Sequence, residues 1–315
     1  MIAITAFFAP PEQTIRKYNF LIFQKHLQIP LIVVEWSPEG IFHIREDECD
    51  HLIQITSGSI LWQKEALLNI GIMKARALGY DKVALLDADI VFLEPKWAEV
   101  VSETLDDNYL VQCFNEVRYL PETGQINLMT INQISGIESQ MQVPSLSFVN
   151  RLGLQQLFAK RDMDDRPLEA LGTNLLGNPG LATAINIGKL SFKLYDANIV
   201  GAGDLVMFSA ANGLLDELFE ERSFSNAHKE HIIYWAQSNE IINSRFGCCD
   251  LCLAHLWHGD GESRSYLKRF EILSSRNFNP IDDIKKNSSG LLEFTEYGGR
   301  LICPVGEYMD RRKDG

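Results

Sequence analysis

One helix-to-strand unit, LWQKEALLNIGIMKARALGYDKVALLDADIVF (Leu61–Phe92), most strongly constrains the fold of this sequence. Its apolar residues recur at helical spacing, at Leu67, Ile70, Met73 and Ala77, and Gly79 stands where a helix C-cap is expected. Two earlier runs, IAITAFF and IPLIVVEW, are typical of buried strands, and a helix is expected between them over residues 12–27. Strands alternating with helices predict an α/β fold with a mainly parallel sheet.

Two aspartates interrupt the apolar strand of this unit. Because burying an isolated carboxylate is costly and two close carboxylates repel each other, Asp87 and Asp89 need solvent or a cation. Residues i and i+2 of an extended chain share a face, and ligands of open α/β sheets gather at the carboxyl ends of strands. We therefore predict that the pair holds a metal ion. The alternative, a simple turn, is disfavoured because Ile90–Phe92 continue the apolar run.

Length and charge narrow the class of protein. A chain of 315 residues can form one large or two smaller domains. A formal net charge of -13 argues against general nucleic-acid binding, so any phosphate site needs local cations or a metal. The start MIAITAFFAP lacks the pattern of a signal peptide, and no apolar run reaches the roughly 18 residues of a membrane span. We expect a cytoplasmic protein without a transmembrane segment.

The six cysteines have no spacing typical of a secreted disulfide framework. The run CCDLC (Cys248–Cys252) raises the alternative of structural zinc, but no second cysteine pair or histidine pair follows at zinc-finger spacing. Buried thiols are the favoured interpretation.

Other segments complete the predicted architecture. A helix is expected over residues 94–102, and CDLCLAHLWHGD alternates like a strand that ends in two histidines. In GAGD (Gly201–Asp204), Asp204 is expected to cap the next helix. The tail is expected to form a hairpin around Gly298-Gly299. We predict a domain over residues 1–275 and a small C-terminal extension over residues 276–315.

Four segments together resemble glycosyltransferases of the GT-A fold: WQKEALLNIGI, LLDADIVF, IVGAGDLVM and HLWHGDGESRSYLKRF. They stand in the order found in bacterial and phage-borne members related to galactosyl- and N-acetylgalactosaminyltransferases. The resemblance covers roughly residues 2–270. It implies a Rossmann-like mixed sheet flanked by helices, and a single catalytic domain.

The resemblance also implies a metal site. Asp87 and Asp89 look like the pair that binds Mn²⁺ or Mg²⁺ and thereby the donor diphosphate, with Asp87 also able to reach the nucleotide. His258 matches a histidine that completes the ligand set in similar enzymes. His255, three residues earlier, is expected on the opposite strand face, so that only one histidine ligates the metal. A core hydrogen bond is the structural alternative for either histidine.

Further roles carried by the resemblance concern the donor and the acceptor. Arg16 and Asn19 fall where family members touch the nucleotide base, Lys64 opens a helix that faces the donor, and Arg264 is a candidate clamp on the diphosphate. Lys64 is equally compatible with a solvated surface charge. Asp204 matches a general base on the acceptor side, with its helix-cap role as the alternative.

Tyr266 and Arg269 follow Arg264 in the sequence, and we expect roles for them in packing and at the surface. This sequence departs from related enzymes in GLATAIN. Related enzymes often have a tryptophan in this region, whereas this chain has Leu181 and Ala184, so the identity of the transferred sugar is not predicted.

The predicted function is metal-dependent transfer of a hexose from a nucleotide sugar, UDP-sugar being favoured, to a hydroxyl of a glycan or another acceptor, with inversion. The alternatives are a nucleotidyltransferase and a catalytically inactive binding protein of the same fold. AFFAPPEQT has no glycine after the first strand, which disfavours the nucleotidyltransferase.

Overall fold

The computed structural model describes residues 1–9, 14–122, 129–151, 177–189, 191–241, 245–259 and 268–311. Its strands are β1 (Ile2–Phe7), β2 (Leu31–Trp36), β3 (His51–Ile55), β4 (Lys82–Leu86), β5 (Ile90–Phe92), β6 (Leu110–Gln112), β7 (Glu116–Tyr119), β8 (Met141–Pro144), β9 (Ala182–Asn186), β10 (Phe246–Cys248), β11 (Cys252–His255), β12 (Ile284–Lys286) and β13 (Leu292–Phe294). Its helices are α1 (Thr14–Leu27), α2 (Lys64–Ala77), α3 (Trp97–Asp107), α4 (Ile131–Ser135), α5 (Leu146–Arg151), α6 (Gly203–Ala211), α7 (Leu215–Glu221), α8 (Asn226–Ser238), α9 (Arg269–Ser274), α10 (Pro280–Asp283) and α11 (Gly299–Arg311), with a 3-10 turn at Glu46–Glu48.

The central sheet has seven strands in the order β10-β6-β9-β4-β1-β2-β3. Strands β4, β1, β2 and β3 pair in parallel, and β10 pairs in parallel with β6. Only β9 runs antiparallel to its neighbours in this sheet. The predicted α/β fold with a mixed, mainly parallel sheet flanked by helices is therefore confirmed.

Both faces of the inner strands of the central sheet are buried, as expected for parallel strands covered by helices, whereas the edge strands β3 and β10 are partly buried. Along β1, Ile2 and Ile4 join a cluster on the α2 face, whereas Ala3 and Phe7 join a second cluster that contains residues of α1 and α3. Successive side chains of a strand point to opposite faces, so an unbroken apolar run supplies both cores. This burial explains why the strand runs contain few polar residues.

A second, smaller sheet lies beside the first, in the order β5-β11-β7-β8. The apolar run that contains the two aspartates is therefore not one strand. It is divided between β4 of the central sheet and β5 of the smaller sheet, with Asp87–Asp89 in the turn between them. Ile90–Phe92 continue the run because β5 pairs with β11, so the turn that the sequence disfavoured is present.

Helix α2 begins at Lys64, as predicted, but its predicted apolar face is wrong in part. Met73 has 66% of its surface exposed, while the buried face runs through Leu68 and Ile72. The reason is Gly71, where an added Cβ would collide with the Ile4 side chain of β1. The helix packs closely against β1 at this glycine, and Met73, two residues further on, faces outward.

The ends of several elements differ from the sequence prediction. Helix α3 begins at Trp97 rather than at residue 94, although Trp97 and Val101 are buried as expected. The C-terminal hairpin is β12–β13, and its turn closes at Asn287–Gly290, where Gly290 has φ +87°. The prediction of a turn at Gly298-Gly299 is wrong, because Gly299 begins α11.

The C-terminal elements pack onto the same hydrophobic cluster as the central sheet, through residues that include Leu292, Leu301 and Tyr308. The domain boundary at residue 275 stays a prediction. Across the described ranges, no helix is both long enough and apolar enough to cross a membrane.

Candidate active site

A cleft of about 230 Å³ opens at the carboxyl ends of β1 and β4. Its lining includes every described residue that the sequence singled out for binding or catalysis, namely Arg16, Asn19, Lys64, Asp87, Asp89, Asp204, His255 and His258. Parallel strands direct their carboxyl ends to one edge, so residues distant in the sequence meet there. Arg264, the predicted diphosphate clamp, lies outside the described residues.

Asp89 and two histidines form a compact group in this cleft. His258 Nε2 lies 3.2 Å from Asp89 Oδ2, and His255 Nε2 lies 3.8 Å from Asp89 Oδ1. One ligand atom from each of the three residues lies within 4.8 Å of the others. The expectation that the histidines face opposite ways is wrong, because β11 ends at His255 and the alternation of a strand no longer sets the direction of His258.

The pairing of β5 with β11 explains how this group forms. His255 is opposite Ile90 in the antiparallel register, and Leu256 N donates a hydrogen bond to Asp89 O over 2.8 Å. The end of β11 is thus tied to the turn that carries Asp89. Both histidines are 7% exposed, so their rings are held between protein surfaces. One carboxylate oxygen and two imidazole nitrogens form a donor set suited to a divalent transition metal.

Asp87 has a different partner from Asp89. Its Oδ1 lies 2.6 Å from Lys64 Nζ, at the start of α2. Burial raises the pKa of Asp87; Lys64 lowers it, while Asp89 and Asp204 raise it further. Burial lowers the pKa of Lys64, but the surrounding carboxylates Asp87, Asp204 and Glu65 outweigh that effect and raise it. Lys64 is therefore an ion-paired lysine of the cleft rather than a solvated charge, and Asp87 as a metal ligand stays a prediction.

Glu65 is a buried acid beside this ion pair. Its Oε2 accepts a hydrogen bond of 2.9 Å from Trp62 Nε1, and a Cβ at Gly203 would lie 2.6 Å from its Oε1. Only glycine at position 203 leaves room for the carboxylate. Burial, with a further contribution from Asp204, raises the pKa of Glu65 to about 7 against the opposing effect of Lys64.

Asp204 lies in the first turn of α6 and lines the cleft. Ala202, with φ +73°, is the N-cap, and Asp204 Oδ1 accepts a hydrogen bond of 2.8 Å from Leu205 N. The predicted helix-cap position for Asp204 is therefore wrong by two residues. Its Oδ2 contacts Gly180 so closely that a Cβ there would collide with it.

Arg16 and Asn19 lie on α1 and line the cleft. Arg16 Nη1 donates a hydrogen bond of 2.7 Å to Phe8 O, and its guanidinium lies 5.2 Å from the centroid of the Phe8 ring. Asn19 Nδ2 donates a hydrogen bond of 3.0 Å to Trp257 O, next to His258. These contacts fix both side chains at one end of the cleft.

Three further lining residues had no predicted role in the site. Trp62 packs edge-on against Phe8, with ring centroids 5.3 Å apart, and Arg222 and Arg269 are buried arginines of the wall. The sequence predicted that Arg269 serves packing or the surface; its side chain is buried and lines the cleft. Arg222 lies in the charged run FEERSFSN, which carries no local signal for burial. Tyr266 lies outside the described residues.

Leu181 and Ala184 of GLATAIN lie in different surroundings. Leu181 has φ +75°, and its carbonyl oxygen accepts a hydrogen bond of 2.8 Å from Asp87 N, so it connects β9 to the aspartate turn. Ala184 is fully buried within β9. Leu181 therefore contributes to the cleft, whereas Ala184 belongs to the core.

The cysteines of CCDLC are free thiols. Among residues with described positions, the group able to ligate a metal is the one formed by Asp89, His255 and His258. Burial raises the pKa of Cys249 to about 11 and that of Cys252 to about 12, so both thiols stay protonated at neutral pH. The geometry agrees with the interpretation of structural thiols.

No family model matches the chain, and no curated protein matches it in sequence. Solved structures do resemble it. The glycosyltransferase GlyE of Streptococcus pneumoniae TIGR4 is 12% identical over 78% of this chain and 44% of the GlyE chain, with a TM-score of 0.31. The galactosyltransferase LgtC is 16% identical over 87% of this chain and 95% of its own, with a TM-score of 0.28.

A nucleotidyltransferase is among the similar structures as well. A putative glucose-1-phosphate thymidylyltransferase from Bacillus anthracis is 8% identical over 92% of this chain and 97% of its own, with a TM-score of 0.32. The chain spans less than half the length of the GlyE chain.

Proposed function

We propose that the protein is a metal-dependent glycosyltransferase that moves a hexose from a nucleotide sugar, UDP-sugar, to the hydroxyl of a glycan or another acceptor. The observation that carries this proposal is the joint presence of the Asp89, His255 and His258 group, the Lys64–Asp87 ion pair and Asp204 in one cleft. Together they offer a metal site, a cation for a diphosphate and a carboxylate base. A metal-dependent, inverting transfer from a nucleotide sugar uses all three.

Asp89, His255 and His258 are the residues that would hold the metal. Two imidazole nitrogens beside one carboxylate favour Mn²⁺ over Mg²⁺, because Mg²⁺ prefers oxygen ligands. When bound, the ion supplies Lewis-acid stabilisation of the negative charge on the departing diphosphate. Lys64 contributes a second positive charge on the same side of the cleft, and Asp87 orients it.

Arg16 and Asn19 are proposed to bind the nucleotide portion of the donor. Both are fixed by hydrogen bonds to backbone carbonyls at the end of β1 and near His258. A nucleoside placed there has its diphosphate directed toward the metal group and Lys64. Arg264 stays a proposed additional clamp on that diphosphate.

Asp204 is proposed as the general base. Its carboxylate takes the proton of the acceptor hydroxyl as the hydroxyl oxygen bonds to the anomeric carbon. The bond from that carbon to the donor phosphate oxygen breaks, and the nucleoside diphosphate leaves with the electron pair. Attack from the face opposite the leaving group inverts the configuration. Gly180 supports this role because both residues line the cleft and a side chain at position 180 would collide with Asp204 Oδ2.

A screen of nucleotide sugars with Mn²⁺, Mg²⁺ or EDTA tests the proposal. The expected result is metal-dependent binding of one donor and release of its nucleoside diphosphate, lost in Asp89→Asn. Pyrophosphate release from a nucleoside triphosphate and a sugar phosphate would instead establish a nucleotidyltransferase. Binding without turnover across a broad acceptor panel would indicate a binding protein, and absence of metal-dependent nucleotide binding would refute the metal site.

A further inference from the structure

Asn178 is a buried polar residue that lines the cleft and has no role in the proposed chemistry. Both groups of its side-chain amide have a partner. Asn178 Nδ2 donates a hydrogen bond of 2.5 Å to Tyr119 Oη, and Asn178 Oδ1 accepts one of 2.8 Å from Gly180 N. Because the polar groups of a buried amide need partners, these two bonds fix the orientation of the side chain.

The main chain at Asn178 is fixed as well. Asn178 N donates a hydrogen bond of 2.8 Å to Pro144 O, while Asn178 O accepts bonds from Leu146 N over 2.9 Å and from Gln112 Nε2 over 2.7 Å. At the preceding residue, Gly177, φ is +108° and an added Cβ would lie 2.7 Å from the backbone of Leu146. The side chain of Asn178 therefore starts from a rigid base and connects the two groups that it bonds.

One of these groups belongs to the wall of the metal group. Tyr119 is opposite His255 in the parallel register of β7 and β11, and the two ring centroids are 4.8 Å apart at an interplanar angle of 42°. The ring that packs on this histidine is thus held at its hydroxyl by Asn178. Contacts behind a metal-ligating histidine set the orientation of its ring and affect metal affinity.

The other group belongs to the surroundings of the proposed base. A Cβ at Gly180 would lie 2.3 Å from Asp204 Oδ2 and 3.7 Å from Asn178 Oδ1, so the Asp204 carboxylate packs against the glycine that Asn178 holds. The next residue, Leu181, accepts the hydrogen bond from Asp87 N. The segment Gly177–Leu181 thereby contacts the base and the aspartate turn together.

We propose that Asn178 is a positioning residue for the transfer reaction, an inference that rests on the proposed function. Its one side-chain amide holds Tyr119 beside His255 and Gly180 beside Asp204. The metal group and the general base are thereby kept in one relative geometry, and a shift at either is passed to the other. Such alignment matters because a misplacement of about 1 Å in a reacting group can cost about 100-fold in rate.

A double-variant cycle on metal affinity tests the metal side of this connection without any substrate. Electron paramagnetic resonance gives Mn²⁺ affinities of the original protein, Tyr119→Phe, Asn178→Ala and the combined variant. We expect each single change to weaken Mn²⁺ binding about three- to tenfold, less than the loss of a direct partner of a ligand. The combined variant should bind no more weakly than Asn178→Ala, since both changes break one connection. Additive losses, or original affinity in both single variants, would overturn the proposal.

Asn186 provides a matched control for the loss of a buried amide. Its Nδ2 donates to Leu105 O over 3.2 Å and its Oδ1 accepts from Lys189 N over 3.1 Å. It is opposite Lys82, at the amino end of β4 and hence at the other edge of the sheet from the cleft. Asn186→Ala should lower the melting temperature and keep the original Mn²⁺ affinity. An equal loss of Mn²⁺ affinity in Asn186→Ala would reduce the effect of Asn178 to general destabilisation and contradict the proposal.

Nuclear magnetic resonance of protein labelled with ¹⁵N-glycine tests the side of the base. The Gly180 amide, identified by its loss in Gly180→Ala, reports the hydrogen bond to Asn178 Oδ1. Zn²⁺, a diamagnetic ion that accepts the same ligand types, should shift this resonance in the original protein. The shift should be smaller in Tyr119→Phe, which keeps the ring and removes only the hydroxyl. An equal shift in both proteins, or none in the original, would overturn the proposal.

Neither measurement uses a nucleotide sugar, so the two proposals fail separately. Metal binding that follows the expected cycle, without transfer from any donor, would refute the proposed function and leave the connection through Asn178 established. Where transfer is found, Asn178→Ala should lower kcat at least about tenfold at saturating Mn²⁺ while the KM for the donor changes little. A raised KM with an original kcat would assign Asn178 to donor binding and overturn the positioning role.

Discussion

Lys64 Nζ lies 2.6 Å from Asp87 Oδ1, so the two aspartates of the Asp-x-Asp pair have different partners. Asp87 is matched to a lysine at the start of α2, whereas Asp89 is matched to His255 and His258. The two carboxylates therefore have different partners, although only Ala88 separates them in the sequence and both line one cleft. The same short motif thus supplies both a candidate metal ligand and an orienting acid.

The first prediction follows from this division of the pair. Asp89→Asn should weaken Mn²⁺ binding at least about 100-fold, since even outer-shell changes cost 10- to 100-fold in metal affinity. Asp87→Asn should weaken it less than about tenfold, because its main contact is Lys64. Calorimetric titration of Mn²⁺ measures both, with circular dichroism to check folding. Equal losses in the two variants would put Asp87 in the ligand set.

The second prediction concerns the histidines. His255→Ala and His258→Ala should each weaken Mn²⁺ binding at least about tenfold, because both ring nitrogens lie near Asp89. Electron paramagnetic resonance of free and bound Mn²⁺ gives the affinities. His51→Ala, on β3 of the central sheet, is the control. If His255→Ala binds Mn²⁺ like the original protein, only His258 ligates, as the sequence predicted.

Much of the fold could be predicted because burial leaves a clear pattern in the sequence. Strands β1, β2 and β4 are covered on both faces, so their apolar runs stand out, and Gly79 marks the end of α2 with φ +83°. Asp204 and the Asp-x-Asp pair could be identified from the sequence because they interrupt or follow such apolar runs. Of the metal group, Asp89 was identified in this way and His258 through the family resemblance, whereas His255 was expected to face away from the site.

What could not be predicted depends on contacts between distant segments. The facing of His255 toward Asp89 requires the antiparallel register of β5 and β11, which no local spacing encodes. Met73 points to solvent because Gly71 of the same helix packs against Ile4 of β1. Arg222 is buried by tertiary packing within a polar run that reads as a solvated loop. Local sequence patterns therefore predict which residues are buried, but they do not predict which distant residues contact one another.

The third prediction concerns stability and pH. The pKa of Glu65 is raised from 4.5 to about 7 in the folded protein. Folded Glu65 therefore holds its proton more tightly than unfolded Glu65, and the free energy of unfolding falls as pH rises from about 4.5 to 7. The contribution of this residue to that fall is at most about 3 kcal/mol.

Glu65→Gln should flatten this fall, because an amide does not titrate. Urea unfolding in EDTA at pH 5 and pH 8 measures the change, and the variant should gain stability relative to the original protein as pH rises. Glu99→Gln, at an exposed position of α3, provides the control. Parallel pH profiles for Glu65→Gln and the original protein would contradict the assignment.

The fourth prediction isolates the general base. Asp204→Asn should lower kcat about 100-fold or more, since the amide cannot accept the hydroxyl proton. UDP affinity with Mn²⁺ should stay close to the original, because the residue faces the acceptor in the proposed reaction. Single-turnover transfer with the donor found by screening gives the rate. Transfer at the original rate would leave Asp204 with a structural role only.

The fifth prediction uses the close contact between Gly180 and Asp204. Gly180→Ala adds a methyl group against Asp204 Oδ2, so the carboxylate must move. We expect kcat to fall at least about tenfold, because an ångström of misplacement in a reacting group can cost 100-fold. Gly306→Ala, where an added Cβ meets nothing within 4 Å, is the matched control and should keep full activity.

The double variant Gly180→Ala, Asp204→Asn should be no slower than Asp204→Asn alone, since both changes act through one carboxylate. Additive losses would show that Gly180 acts on the reaction by another route.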